Sequence, residues 1–519
     1  MKLITTLSTI LLLNITANLH AGWPQWRGID RNGVAYNSPK ITTDFAEDGP
    51  KMVWESIEIP SDDEGGHSSV IVAEGKVYLS LIWHRDVPAK QRTIDTRVLR
   101  KLGYRSTKLE PEKIAAMEKA RLSLSPRLRG GKLEEWMREW IAKHLTEEEK
   151  LHYEGYVKSR FKQGRYALPL DVLDTAASKK DKVFSDHESL VNWVKSHSWS
   201  EEIEEKVLDA IPATQQVAHD TVLCLDNKTG KEIWRFETET SPVGRSAAST
   251  PCVVNGKIFT ALGAHGYCLD AKTGKEIWRN EISTKGPSAS PLVVEGKVIL
   301  LDNTLKALDA KTGKLLWQQK EVKGNKSSPS AWGKGEDLTI LSQSNASFVG
   351  INGNTGEIRW QVQGGGDSSA AISGDYVAIQ HQRSDSGLVV YRITKDGIEK
   401  VWEHLFESRR YASSPILHDG RVHLLGGSRH LSADLDSGKI LWNKPSKCEI
   451  ASPILADGKL FITENNGGIL KIIDATANEY TELASTKIRA MRCPSPAIDD
   501  GFLYLRREKS VCCFDLRKE

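Results

Sequence analysis

Over most of this chain the apolar residues come in short runs bounded by polar turn residues. Val222-Leu-Cys-Leu225 and Leu305-Lys-Ala-Leu308 are two such runs, and each predicts a strand. A turn signal follows directly, and after it a second short stretch that ends in tryptophan. The clearest copy is Asp270-Ala-Lys-Thr273-Gly274-Lys-Glu-Ile-Trp278. It recurs as Asp226…Thr229-Gly230…Trp234 and Asp309…Thr312-Gly313…Trp317. Weaker copies are Asn352…Thr355-Gly356…Trp360, Asp434…Ser437-Gly438…Trp442, and a degenerate one from Thr394 to Trp402. Asp474 opens a copy without Trp, and Asp515 opens a last, incomplete one. The copies follow one another at roughly 40 residues, the period of a propeller blade.

Each residue type in the motif has a physical task. Asp and Thr can bond backbone amides in a tight turn, and Gly can take positive φ there. The Trp is bulky enough to fill the seam between neighbouring units. Trp54, Trp234, Trp278, Trp317, Trp360, Trp402 and Trp442 are therefore read as structural repeat residues.

A whole unit reads as four strands. Small residues open it, at Ser69, Thr250, Ser290, Ser328, Ser369, Ser414, Ser452 and Ser495. A strand, a turn such as Gly256-Lys257 or Gly296-Lys297, and a second strand follow, and the motif strands close the unit. Eight openings predict an all-β, eight-bladed β-propeller of four-stranded antiparallel blades. Lys51-Met-Val-Trp54-Glu55 looks like the second half of a repeat, and Ser510-Val-Cys-Cys-Phe514-Asp515 like a first half. Pairing the two ends in one blade would close the ring and remove the exposed sheet edges.

The pattern changes between Trp83 and Asp220. Residues 85–218 carry helical spacing in place of strand runs, with Pro111 opening a helix former and apolar residues at helical spacing from Leu133 to His144. Thr146-x-x-Glu149 and Ser185-x-x-Glu188 predict capping boxes, and Ser200 a cap for the helix from Glu201. The expected division is thus 1–21 as a signal peptide, 22–49 as an N-terminal loop segment, 50–84 with 219–519 as the propeller, and 85–218 as an α-helical insertion in the first blade. From Arg85 to Lys132 there are 14 Lys plus Arg against 5 Asp plus Glu. That suits either a solvated helical surface or a docking surface or lid.

Composition narrows the class. The 519 residues are 39% apolar and 27% charged, with a net charge of only +3, so no global charge points to nucleic acid. Lys2 followed by the mostly apolar Leu3–Ile15 and the small Ala21 reads as a secretory signal, too short to span a bilayer. No Cys follows it to carry a lipid, so a periplasmic or secreted monomer is expected, without a transmembrane segment once the signal is removed. Seven Cys at irregular spacing, with no C-x-x-C pair, give no support to zinc or thioredoxin-like chemistry.

Strand direction places the candidate site. The starts of the first strands share one face with the loops between second and third strands. Just before the small openings on that face stand His67, Arg245, Lys326, Asp367, Arg410, Tyr411, Glu449 and Arg492. The other loops there add His265, His381, Arg383, Asp385, Arg429, His430 and Glu464. Variation on one face of a regular scaffold is where binding residues gather. The alternatives are solvated loop charges or an anion- or carbohydrate-binding mouth built on Arg245, Arg410 and Arg492. G-x-S-x-G, H-E-x-x-H and P-loop signatures are missing, so no catalytic residue and no metal ligand is assigned.

The A-K-T-G-K-x-x-W repeats resemble those of the pyrroloquinoline quinone (PQQ) enzymes, over about residues 50–84 and 219–519. The resemblance implies a propeller of the quinoprotein alcohol dehydrogenase-like superfamily. One branch, the dehydrogenases, holds PQQ and calcium. A second, the outer-membrane assembly propellers of the BamB kind, binds no quinone. Trp23-Pro-Gln-Trp26-Arg-Gly28 resembles the start of a third set of exported propellers. In the dehydrogenases the resemblance implies a vicinal disulfide over the quinone, a Trp floor and an Asp base near calcium. Here the adjacent Cys512 and Cys513 fall in a predicted strand, and Asp367 and Glu449 are the only carboxylates offered for calcium. The expectation is a non-catalytic binding or assembly scaffold in the cell envelope, with envelope proteins or polysaccharide as partners and no cofactor. The alternatives are a PQQ- and calcium-dependent dehydrogenase and a binder of glycans or anionic polymers.

Overall fold

A computed structural model describes residues 22–47, 49–59, 65–243, 247–283, 286–382, 387–394, 397–405, 413–426, 429–446 and 451–518. The chain divides into two compact units, one of residues 1–85 with 217–519 and one of residues 86–216.

The first unit is an all-β propeller. Its blade sheets number eight among the described residues, six with four strands, one with three and one with five. We number the blades 1 to 8 by their openings from Ser69 to Ser495. Blade 2 shows the pattern: Cys252–Val254, Lys257–Leu262, His265–Asp270 and Glu276–Glu281 pair in sequence order. Blade 8 takes its outer strand from the other end of the chain, because Lys51–Glu55 pairs antiparallel with Val511–Asp515.

The small opening residues build a closed ring. The amide of Ser69 donates to Thr250 Oγ1, and the amide of Thr250 donates to Ser290 Oγ. The same bond links Ser290 to Ser328, Ser328 to Ser369, Ser369 to Ser414, Ser414 to Ser452 and Ser452 to Ser495. Ser495 then donates to Ser69 Oγ at 2.9 Å and completes the circle. A hydroxyl on a short side chain is needed because the partner amide is buried and must be paired. Eight bonds for eight blades tie the inner strands together at one level.

The repeat motif fastens blades to their neighbours at the outside. Asp270 Oδ1 accepts from the Thr273 amide at 2.8 Å and from its hydroxyl at 2.7 Å, and Asp226, Asp309 and Asp434 repeat this turn. The turn glycine carries positive φ and lies under the Trp of the preceding blade. A Cβ on Gly313 would stand 2.7 Å from Trp278, one on Gly274 2.5 Å from Trp234, and one on Gly438 2.7 Å from Trp402. The indole N–H completes the seam: Trp278 donates to Ala310 O at 3.1 Å and Trp317 to Gly353 O at 3.1 Å. Trp54 does the same to Asn227 O at 2.9 Å and Trp402 to Leu435 O at 2.7 Å. Where the next copy lacks the glycine, the Trp finds another seat. Trp360 lies on Gly350 of its own blade, and Trp442 meets Tyr480 edge to face at 5.5 Å.

In all eight blades a β-bulge falls at the residue before the motif Trp or its equivalent. In blade 2, Cys268 pairs with Trp278 and Leu269 with Glu276, which leaves Ile277 unpaired. The bulge turns the Trp inward and twists the outer edge strand, and a twisted edge resists pairing with another chain.

The N-terminal segment does more than a loop would. Trp23 pairs with Val72 of blade 1, the Val253 amide of blade 2 donates to Pro24 O, and Val34–Ala35 adds a parallel strand to blade 7. Between them Arg31 reaches Pro291 O on blade 3, four blades round the ring from the blade 7 strand that Val34–Ala35 joins, so the segment crosses the axis.

The second unit holds seven α-helices among its described residues, from Thr96–Leu102 to Glu201–Ala210. They bury two apolar clusters, one around Val172, Leu190 and Val207, the other around Met137, Ile141 and Phe161. Thr146 and Glu149 form the reciprocal capping box at the start of Glu147–Gln163, and Pro111 occupies the first turn of its helix. Two expected caps differ. Asp186, not Ser185, caps His187–Lys195, because its carboxylate reaches the Ser189 amide at 2.7 Å and shifts the register by one residue. Ser200 sits at the N-cap of Glu201–Ala210 without a side-chain bond to it. No helix among the described residues is long and apolar enough to cross a membrane.

Candidate functional site

The face where the inner strands begin carries the non-repeating side chains. Four of the eight candidates there are described. His67 is buried, and its amide donates to Ala247 O of blade 2 at 3.3 Å. Lys326 and Asp367, from the approaches to neighbouring blades 4 and 5, form an ion pair at 3.2 Å. Lys326 remains exposed and Asp367 half-buried, so water screens this pair. Arg492 is half-buried before blade 8. Arg245, Arg410, Tyr411 and Glu449 lie outside the described residues, as do Arg383 and Asp385.

Loops between second and third strands supply two tighter clusters. His430 and Glu464 meet at 2.6 Å across the seam of blades 6 and 7, and Lys471 reaches the same carboxylate at 3.1 Å. Burial works to raise the Glu464 carboxyl, but His430 and Lys471 outweigh it and hold it down at about 2. His381, fully buried, bonds to Gln343, whose amide also donates to the Ser368 and Gln380 carbonyls at 3.0 and 3.2 Å. That arrangement fixes a buried imidazole between the inner strand and a hairpin.

A third cluster involves a residue that the strand pattern alone does not single out. Asp220 stands in the third strand of blade 1, fully buried beneath the hairpin of blade 2. It accepts the Tyr267 hydroxyl at 2.6 Å, and His265 Nδ1 lies 3.9 Å away. Burial pushes its carboxyl up to about 6, against the lowering effect of the Tyr267 bond. The signal was a carboxylate directly ahead of the apolar run Thr221-Val-Leu-Cys-Leu, a position that pleating turns into the seam.

The profile of the family described as "Outer membrane protein assembly factor BamB", the PQQ-like repeat propellers, matches residues 218–364 and 335–481. Together the two matches span just over half of the 519 residues. The chain belongs to this family. Comparison with curated proteins returns no match. Among solved structures, BamB from Moraxella catarrhalis is similar at 15% identity and a TM-score of 0.47, covering 58% of this chain and 89% of that one. Quinohemoprotein alcohol dehydrogenase from Comamonas testosteroni gives 14% identity and a TM-score of 0.44, over 58% and 73%. The computationally designed Ika8 protein gives 13% and 0.44, over 58% and 93%.

One branch of such propellers implies PQQ with calcium, and the described residues do not fit that pair. Calcium takes six to eight oxygen ligands, several of them carboxylates. Among the described residues no three His, Cys, Asp or Glu side chains cluster in a way that could hold a metal. Asp367 faces a lysine. Cys512 and Cys513 are free thiols buried in one strand, where neighbours point to opposite sides, and burial pushes both up to about 12. Cys224 and Cys268 are likewise buried free thiols in equivalent strands of blades 1 and 2.

Proposed function

We propose that the protein is an exported binding scaffold that acts without catalysis, its face of non-repeating loops serving as a docking surface for envelope proteins. The observation that carries this reading is the family match across residues 218–481, a family named for outer-membrane protein assembly. The chemistry of the face agrees with it. Two of its described carboxylates are held by cations, Asp367 by Lys326 and Glu464 by His430 and Lys471, and the third, Asp220, is buried and accepts the Tyr267 hydroxyl. A redox site would need such groups free to bind a cation or take a proton. A docking face needs only fixed charge and shape, which the closed ring of inner strands supplies. The signal-like segment at residues 1–21 supports export, and it lies outside the described residues.

The test is site-directed photo-crosslinking in cells. A photoreactive residue at Lys326 or Arg492 should yield discrete adducts with envelope proteins. The same residue at Ile277, on the outer rim of blade 2, should not. Adducts of equal yield from both positions, or none from either, would refute docking on this face. Retention on envelope polysaccharide without protein adducts would move the assignment to a glycan binder.

A further inference from the structure

The Trp23-Pro-Gln-Trp26-Arg27-Gly28 segment places two arginines deep in the propeller. Trp23 is buried, and its ring covers Gly28, whose φ of +79° and close approach leave no room for a side chain. The turn this makes sends Arg27 and Arg31 to two different inner strands. Arg27 is 1% exposed and Arg31 3%. Arg27 Nη2 donates to the Asn32 and Pro415 carbonyls, the second on blade 6. Arg31 donates to Pro291 O at 2.7 Å and Ser290 O at 3.1 Å on blade 3, and to Gln25 Oε1 at 3.1 Å.

Those acceptors are neutral and too few. Arg27 Nε and Nη1 and Arg31 Nε are buried with no acceptor from the protein. No carboxylate among the described residues forms an ion pair with either guanidinium, although the chain meets this need elsewhere. Arg121 and Arg160, equally buried in the helical unit, share Glu118 at 2.5 and 2.6 Å. Burial lowers Arg27 to about 9, with the charge of Arg31 adding to it, and lowers Arg31 to about 10, so both stay cationic at neutral pH. A buried charge without a counter-charge costs several kcal/mol, and two adjacent ones add repulsion. Arg506 shares the deficit of acceptors, but Cys512 and Glu508 work against the effect of its burial, and no like charge adds to it.

From the burial, the orphaned N–H groups and the missing carboxylate, we infer that Arg27 and Arg31 hold a small inorganic anion at the propeller axis. The orphaned donors of Arg27, Nε and Nη1, lie on different edges of the guanidinium and do not converge as a bidentate pair, so the anion proposed is a monatomic one such as chloride, held at one of those edges. The anion would neutralise the segment and pin residues 22–35 to the inner strands.

The experiment measures thermal unfolding of the full chain in sodium chloride against sodium gluconate at equal ionic strength. Chloride should raise Tm in proportion to the logarithm of its concentration, as binding to the folded state alone requires. Arg27→Met and Arg31→Met should each lose that dependence. Because either variant could fail to fold, bromide anomalous diffraction from crystals of the unaltered protein provides an independent readout. A bromide peak against the Arg27 guanidinium supports the inference. Equal Tm in the two salts, or density at that position explained by water alone, overturns it.

Discussion

Two glycines in blade 3 allow the seam between blades to be weighed separately from the backbone. Gly296 turns the first strand into the second at φ +73°, and a Cβ there would meet nothing within 4 Å. Gly313 sits in the repeat motif at φ +72°, where a Cβ would stand 2.7 Å from both Cδ2 and Cε3 of Trp278. Alanine at either position bears the same left-handed backbone penalty, about 1–2 kcal/mol. At Gly313 the indole must also move. That breaks its 3.1 Å bond to Ala310 O, worth about 1 kcal/mol, and re-exposes part of a ring whose full loss costs about 3–5 kcal/mol. Gly296→Ala should therefore cost about 1–2 kcal/mol and Gly313→Ala about 3–5. Urea unfolding followed by tryptophan fluorescence measures both. A double-mutant cycle sharpens the test: in a Trp278→Ala background, Gly313→Ala should fall to the Gly296→Ala value. Equal costs for the two single variants, or no coupling to Trp278, would refute the claim that the motif glycine exists to seat the neighbouring Trp.

Further outcomes follow from the inner ring, the buried carboxylate and the shared blade. Ser328→Ala removes the acceptor of the buried Ser290 amide, should cost about 1–3 kcal/mol, and is checked by the same unfolding assay. The folded pKa of Asp220 is raised to about 6 from an ordinary 3.8, so its contribution is most favourable below pH 4 and is lost as pH rises to 6. A rise of that size corresponds to about 3 kcal/mol. Asp220→Asn should match the parent near pH 4 and exceed it in stability above pH 6, and a difference that does not change with pH would contradict the assignment. Removal of residues 1–59 should strip blade 8 of its outer strand and lower both Tm and cooperativity; an unchanged melting curve would count against ring closure by the chain ends.

The fold was legible because one motif does the same work many times. Asp, Thr, Gly and Trp at fixed spacing encode a turn, a positive φ and a seam contact, and each of these is local or involves the next repeat. The helices of residues 96–210 were legible for a similar reason, through Pro111 and the Thr146–Glu149 box. Asp186 displaced Ser185 as a cap because two competent acceptors stood side by side, a choice that only geometry decides. The site was harder to read. Lys326 and Asp367 are separated by a whole blade in sequence, and their pairing depends on blades meeting around the ring. Arg27 and Arg31 belong to a motif visible at once, yet their partners Pro415 and Pro291 lie hundreds of residues away. Asp220 looked like an ordinary strand residue because burial of its carboxylate comes from the adjacent blade.

The central claim is that the face of non-repeating loops binds and does not catalyse. Dye-linked oxidation of alcohols and sugars, measured after incubation of the purified protein with PQQ and calcium, tests it most directly. The account predicts no turnover above protein-free PQQ, even if the quinone is retained weakly by the arginines of that face. Sustained turnover that disappears in Asp367→Ala or Glu449→Ala would contradict the account and make the protein a dehydrogenase.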